Sequence, residues 1–486
     1  MAPDGLTMTI DGTAVRGSAT FSVEDPATGK VLAVAPDATS AQLDDAFRAA
    51  ARALPGWAAD ADGRESALNA AADAVVAAAD ELTELVTSEQ GKPLAEARAE
   101  VLGTVAALRH FAGVRLEPMV LQDGPEARVV VRRRPVGVVA AITPWNAPLL
   151  VAGGMKIAPA LAAGNTVVLK PSPFTPLATL RLGEVLRPVL PAGVVNVLSG
   201  GATDLGRWMT SHPVPRLITF TGSPRTGRLV AESAARDLKR TVLELGGNDP
   251  AIVLDDAVVS DVAEALFWGA FGNAGQTCVA VKRVYVPESL RDELVAALAA
   301  IADTVVVGDG HDPATRMGPL TYDAQRSIVG ELVTDAVRRG GRVAAGGAPI
   351  EGPGYFYRPT ILDSVADGFR IVDEEQFGPA LPVVAYRDVE QVLATVNASE
   401  YGLGSSVWSA DPARGRVVAD RIEAGTTWVN THKNVLWPVQ PIAGVKQSGL
   451  GAELGAWGME SFTELSVQHD VGGPSARPVG VVPVAK

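Results

Sequence analysis

Residues 136–143 read VGVVAAIT, and four runs of the same kind follow: NTVVLKPS at 165–172, GVVNVLSG at 193–200, RLITFTGS at 216–223 and TVLELGGN at 241–248. Each is a short apolar block that ends in a polar or Gly-rich turn, with helical segments between the blocks. Strands buried on both faces read this way, so the pattern predicts crossover units and a parallel sheet covered on both sides. In open sheets of that kind ligands sit beyond the carboxyl ends of the strands. Residues 143–146, 170–173, 221–227 and 244–248 should therefore converge on one crevice.

Upstream, FSVEDPATGKVLAVAP at 21–36 reads as two strands around a turn set by Pro26 and Gly29. A helix should follow, opened by a capping box of Thr39 and Gln42 and carrying an apolar stripe of Leu43, Phe47, Ala50, Ala51 and Leu54 that ends at Pro55-Gly56. Downstream, from about Pro250 to Trp437, strands and helices alternate again, most clearly in VKRVYVPESLRDELVAALAAIA at 281–302. This predicts a second α/β domain. The stretch Pro135 to Met155 has no charge, but its three prolines and Asn146 favour a buried strand followed by a loop over a membrane span. Beyond Gly472 the chain is rich in Pro and Gly, and a segment of that composition is expected to cross to another subunit or fray.

With 486 residues, the chain has the length of about three domains. Hydrophobic residues make up 47% and charged residues 20%, which excludes a disordered or charge-dominated protein. The net charge of −13 repels phosphate backbones and anionic membrane surfaces, so neither nucleic acid nor a membrane is an expected partner. A single cysteine allows no internal disulfide and fits a reducing compartment. The first residues, MAPDGLTMTIDG, lack the basic and apolar regions of a signal peptide, so a cytoplasmic location is expected.

Metal and serine-hydrolase signatures are absent, and no metal site is expected. GSPRTG at 222–227 has phosphate-loop spacing without the Lys and Ser or Thr of a Walker loop, yet after a strand and before a helix it can offer backbone donors to a pyrophosphate. Cys278 lies in FGNAGQTCVA, among small residues and the polar Asn273, Gln276 and Thr277. Taken alone, such a cysteine is more often a buried small hydrophobe than a nucleophile. Glu244 closes an apolar strand, a setting that raises a carboxyl pKa and suits a general base, although a solvated strand end is an equal reading in isolation.

Together the stretches ITPWNAP (142–148), VVLKPS (167–172), FTGS (220–223), ELGG (244–247), GQTC (275–278), EEQFGP (374–379), WVN (428–430) and GVKQSGLGAELG (444–455) resemble the aldehyde dehydrogenase superfamily. The resemblance runs in order from DPATGKVLA near residue 25 to ESFTE at 460–464. It implies an aldehyde-dehydrogenase-like α/β fold. A Rossmann-type cofactor domain (1–118 and 138–246) would join an α/β catalytic domain (247–445) and a small β oligomerisation arm (119–137 and 460–486).

The implied activity is oxidation of an aldehyde to the acid by NAD(P)+, with Cys278 as nucleophile, Asn146 as oxyanion donor and Glu244 as the base that activates water. The presence of Glu244 favours hydrolysis over the rival CoA-acylating reaction, and the intact set of three argues against a non-catalytic binding protein on the same scaffold. For the cofactor the resemblance implies Lys170 at the adenosine ribose with Ser172 beside it, and Gly222 and Ser223 at the pyrophosphate. Glu375 would take the nicotinamide ribose, Phe377 and Gly246 the nicotinamide end, and Thr143, Pro144 and Trp145 the adjoining wall. A homodimer or homotetramer is implied as well.

The sequence also departs from the family pattern. Pro173 stands where many NAD-preferring members carry a glutamate, and Arg225 could attract a 2′-phosphate, so NAD is expected with NADP possible. Asn248 replaces a common lysine, and Ala147 an aromatic residue. The segment from Asn146 to Lys156 is one residue longer than usual, which should rotate Lys156 away from its family position. In the loop THKNVLWPVQPIAG at 431–444, Val435, Leu436 and Trp437 suggest a bulky apolar or aromatic aldehyde, while Ile442-Ala443-Gly444 stands in place of Phe-Gly-Gly.

Overall fold

The N-terminal hairpin follows from its turn chemistry. Ala19–Asp25 pairs antiparallel with Lys30–Asp37, and the Asp25 carboxylate accepts from Ala27 N and Thr28 Oγ1 to hold the bend. The computed structural model to which these strands belong describes residues 5–433 and 435–471. The capping box forms as read, and opens the helix Ser40–Ala59. That helix passes through Pro55 instead of stopping there. Trp57 is buried on the far side of the proline and its indole N–H donates to the Leu161 carbonyl (3.1 Å), so tertiary packing carries the helix one turn further. Ala51 points to solvent, and Ala46 and Ala49 join the buried stripe in its place.

The five apolar runs become five parallel strands. Arg240–Glu244, Leu217–Thr221, Val138–Ile142, Thr166–Lys170 and Val195–Val197 lie side by side in that order. The chain starts in the middle at Val138–Ile142, builds outward on one side, then returns to add the last two strands on the other. The reversal of direction lies between the carboxyl ends at Ile142 and Thr221, which is where such sheets open a crevice. Antiparallel strands finish the edges: Met8–Ile10 and Thr13–Val15 at one, Gly449–Leu450 against Leu243 and Glu244 at the other.

The uncharged stretch after Ile142 is not a loop throughout. Leu150–Ile157 is a π-helix that runs into the α-helix Ala158–Ala162, and the Ala158 N–H donates to Gly153 O, five residues back. A π-turn is how a helix absorbs one additional residue, and it accounts for the longer spacing from Asn146 to Lys156. The extra residue is taken up locally. Lys156 is fully buried, where its ammonium donates to Thr219 Oγ1 (2.8 Å) and pairs with Glu453.

A second sheet contains Arg342–Ala345, Thr360–Val365, Ala380–Tyr386, Arg283–Pro287, Pro250–Val253, Gly404–Trp408 and Thr426–Val429, all parallel except the first. Its helix Val259–Phe271 leads directly into the segment that carries Cys278. A third sheet pairs Thr463–Asp470, Arg128–Pro135 and Met119–Asp123 antiparallel, and leaves Met119, Leu121, Leu465 and Val467 exposed. The Pro- and Gly-rich tail, residues 472–486, lies outside the described residues. Among the described residues no helix is long and apolar enough to cross a membrane.

Candidate active site

The stretch GNAGQTC bends sharply. Asn273, Ala274 and Gly275 all have left-handed backbone, and a Cβ at Gly275 would stand 2.3 Å from the Gly378 carbonyl. Two side chains brace the bend: Gln276 Oε1 accepts from Thr321 N (2.9 Å), and the Gln90 amide donates to Asn273 Oδ1 (3.0 Å). The turn delivers Cys278, half-buried, to the mouth of the first sheet.

Asn146 meets it there. One N–H of its amide donates to the Gln276 carbonyl (2.8 Å), and its own carbonyl accepts from Lys92 Nζ and Asn273 Nδ2, both at 2.9 Å. Lys92 is in turn ion-paired with the buried Glu100, whose other oxygen accepts from the Leu149 and Leu150 N–H groups. The side-chain amide of Asn146 makes this one hydrogen bond, to the Gln276 carbonyl, among the described residues.

A cleft of about 230 Å³ runs from Cys278 along the carboxyl ends of the strands. Of the residues singled out from sequence, it is lined by Pro144, Trp145, Asn146, Gly222, Ser223, Gly246, Cys278, Glu375 and Phe377. Ser223 caps the helix Pro224–Ala235, accepting from Thr226 N, so the helix N-terminus faces the cleft where an anionic pyrophosphate would be favoured. Gly246 and Glu375 fit each other. A Cβ at 246 would stand 2.3 Å from Glu375 Oε2, and Glu375 Oε1 accepts from Gly247 N (3.1 Å).

Thr143, Lys170, Ser172 and Glu244 do not line that cleft. They are buried at neighbouring strand ends, with Thr143 N donating to Lys170 O (3.0 Å) and Lys170 Nζ turned onto Pro171 O (2.9 Å). Burial brings the Lys170 ammonium down to about 8. Arg225 is exposed in the first turn of the Ser223-capped helix.

Sequence reasoning missed Tyr322, Gln325 and Ile328, which supply the opposite wall. Tyr322 stacks on Phe174 and meets the edge of Trp145, while Trp145 packs edge-on against Phe377. Gln325 Nε2 donates to Gln376 O and Phe377 O and so fixes the EEQFGP turn. No motif marks these positions, because their contribution comes from packing across the sheet ends.

Glu244 is buried at the end of its strand with Oε1 unpartnered, and its backbone carbonyl accepts from Gly222 N (3.0 Å). Burial raises its pKa well above the usual carboxylate range, the negative charge of Glu453 raises it further, and the Lys156 ammonium opposes both. Glu453 itself lies in the GAELG stretch, brought here by the edge strand Gly449–Leu450.

With this geometry in place, comparison with known proteins gives a consistent result. The sequence profile of the aldehyde dehydrogenase family matches residues 14–467. The chain belongs to this family. It is 38% identical to the glutarate-semialdehyde dehydrogenase of Pseudomonas putida, with 92% of this chain and 93% of that protein covered. It is 39% identical to the NADP+-dependent succinate-semialdehyde dehydrogenase of Escherichia coli, over 92% and 93% of the two chains. Betaine aldehyde dehydrogenase of Staphylococcus aureus, solved with NAD+, superposes with a TM-score of 0.93 at 32% identity and 97% coverage of both chains. The protein is therefore an NAD(P)-dependent aldehyde dehydrogenase.

In this aldehyde dehydrogenase the Cys278 thiol stands in an unfavourable field for ionisation. Burial pushes it up to about 12, Glu244, Glu375 and Asp249 add negative charge, and Lys282 counteracts them. Lys282 is held close by, donating to Gly275 O (2.9 Å) with its ammonium over the Phe377 ring. Since only the thiolate is reactive and its fraction grows about tenfold per pH unit below the pKa, alkylation of the free enzyme by iodoacetamide should accelerate steadily from pH 7 to pH 10. A rate that levels off near pH 8 would contradict this field.

Proposed function

We propose that the enzyme oxidises an aldehyde to the carboxylic acid through a thiohemiacetal and then a thioester on Cys278. The convergence of Cys278 and the Asn146 amide on one cleft, with the buried carboxyl of Glu244 at the adjoining strand end, is the observation that supports this reading. The Cys278 thiolate adds to the carbonyl carbon, and the oxygen becomes an oxyanion. The free N–H of Asn146 and the Cys278 backbone N–H are its donors in this scheme. NAD(P)+, held by the residues named below, would supply the acceptor for the hydride that leaves the carbon. Glu244 takes a proton from water, which cleaves the thioester, releases the carboxylate and restores the thiol. With a base at this position, water is favoured over CoA as the acyl acceptor.

For the cofactor, Lys170 and Ser172 would hold the adenosine ribose, Gly222 and Ser223 the pyrophosphate, and Glu375 the nicotinamide ribose. Phe377, Gly246, Thr143, Pro144 and Trp145 would complete the nicotinamide end. NAD+ is the cofactor of this reading. NADP+ is a second substrate of the same site, because Pro173 leaves no carboxylate to repel a 2′-phosphate and Arg225 is exposed at the nearby helix start. The division into residues 1–118 and 138–246 for the cofactor, 247–445 for catalysis and the flanking arm for assembly is part of the proposal, as is a cytoplasmic setting.

The arm leaves apolar side chains on an open three-stranded sheet, and such edges and faces call for a partner. A homodimer or homotetramer is the expected assembly.

These roles have separate tests. Asn146→Ala should lower kcat on the order of a hundredfold, the usual size of a lost oxyanion donor; turnover like the parent's would remove it from the mechanism. Glu244→Gln should release one equivalent of reduced cofactor in a burst and then stall, and in the parent the hydrolytic step should speed up as pH rises, since a raised carboxyl pKa moves deprotonation of the base to higher pH. An unimpaired steady state in the variant refutes the assignment. In sedimentation, the parent should run as a multiple of 50.3 kDa, and Leu465→Asp with Val467→Asp should shift it toward the single chain; a monomeric parent excludes the arm as an interface.

A further inference from the structure

The loop after Thr426–Val429 folds back over Cys278, and Lys433 within it is turned inward. Its backbone is left-handed (φ 62°), and its ammonium stops 3.3 Å from Thr277 Oγ1, on the residue preceding the nucleophile. Gly272 makes the room, since a Cβ there would stand 3.0 Å from Lys433 Nζ. Lys433 and Thr277 are not among the residues that line the cofactor cleft, so this ammonium approaches Cys278 from another side.

The ammonium also lacks a counter-ion. Among the described residues the ion-paired lysines are Lys92, Lys156, Lys239 and Lys446. Burial lowers the pKa of the Lys433 ammonium and the charge of Glu96 opposes this, but Glu96 already accepts from Asn273 N (3.0 Å) with one oxygen. A half-buried ammonium that meets one hydroxyl is poorly compensated for its lost hydration, and an anion placed against it gains accordingly. Lys282, the other cation near Cys278, is already engaged with Gly275 O and the Phe377 ring.

Of the apolar side chains of the same loop, Leu436 faces solvent and Trp437 is packed within the protein. Leu436 is 70% exposed. The Trp437 indole sits in a niche between two glycines: its N–H donates to Gly103 O (2.7 Å), and a Cβ at Gly154 would stand 3.0 Å from its ring. The indole is thus engaged by the protein itself.

We propose that Lys433 selects the substrate, receiving the anionic far end of a short aldehyde whose carbonyl carbon lies at Cys278. This rests on Cys278 being the nucleophile of aldehyde oxidation. The test compares kcat/KM for 4-oxobutanoate and butanal, which share a chain length, in the parent, Lys433→Met and Lys433→Arg. The parent should favour 4-oxobutanoate. In Lys433→Met the ratio of the two kcat/KM values should fall about tenfold or more, chiefly through KM, and Lys433→Arg should restore part of it. A parent that favours butanal, or a ratio unchanged in Lys433→Met, overturns the proposal. Calorimetric titration with succinate, an unreactive dianion, separates it from the oxidation reading. If no aldehyde is turned over, the oxidation reading fails, while succinate bound by the parent and at least tenfold more weakly by Lys433→Met still supports the lysine. Equal binding by both proteins, or none by the parent, overturns it.

Discussion

The hydrogen bond from the Asn146 amide to the Gln276 carbonyl is the tie on which the site depends. Asn146 follows the central strand of the first sheet, and Gln276 belongs to the turn that precedes Cys278 at the edge of the second. Neither sheet alone places Cys278 beside Asn146. The turn is held in left-handed backbone over three residues, a conformation that persists only where surroundings over-determine it, and Asn146, Gln90 and Thr321 provide that restraint. Behind Asn146, the Lys92–Glu100 pair fixes both its carbonyl and the start of the next helix. Breaking one half of such a buried pair strands a charge, so the support is cooperative.

Charge around the thiol follows from the same crossing. Strand ends from both sheets bring carboxylates, Glu244 from one and Glu375 and Asp249 from the other, toward a single sulfur. Each is itself raised by burial, Asp249 to about 8. Burial thus favours the neutral form of each of these carboxyls. That arrangement keeps the sulfur protected from indiscriminate chemistry and leaves its activation to positive charge brought into the cleft.

Much of this was legible from residues alone because it is written in local chemistry. Runs buried on both faces announced the parallel strands, the Thr39–Gln42 box opened its helix, and Ser223 capped the helix at the cleft. Cys278, Asn146 and Glu375 were singled out because the short motifs around them resemble those of a known family. The wall of Tyr322, Gln325 and Ile328 was not legible, since it is made by a helix start that crosses the sheet ends and carries no pattern of its own. The passage of Ser40–Ala59 through Pro55 was hidden for a similar reason: a tryptophan docking against residue 161 outweighs a local breaker. The niche of Trp437 was not legible either, since sequence does not show the two glycines that receive it.

The π-helix at Leu150–Ile157 has a consequence for how this chain is set beside its relatives. One inserted residue turns a helix by about 100°, and when the surplus is stored in a single widened turn, everything after it resumes its former phase. A chain without the widened turn would therefore differ by one in its count from Asn146 to Lys156, while the helix Ala158–Ala162 keeps its phase. The faces of Val151 to Met155 should be matched by position in space, since a gap placed at either end of the turn assigns their side chains to the wrong wall.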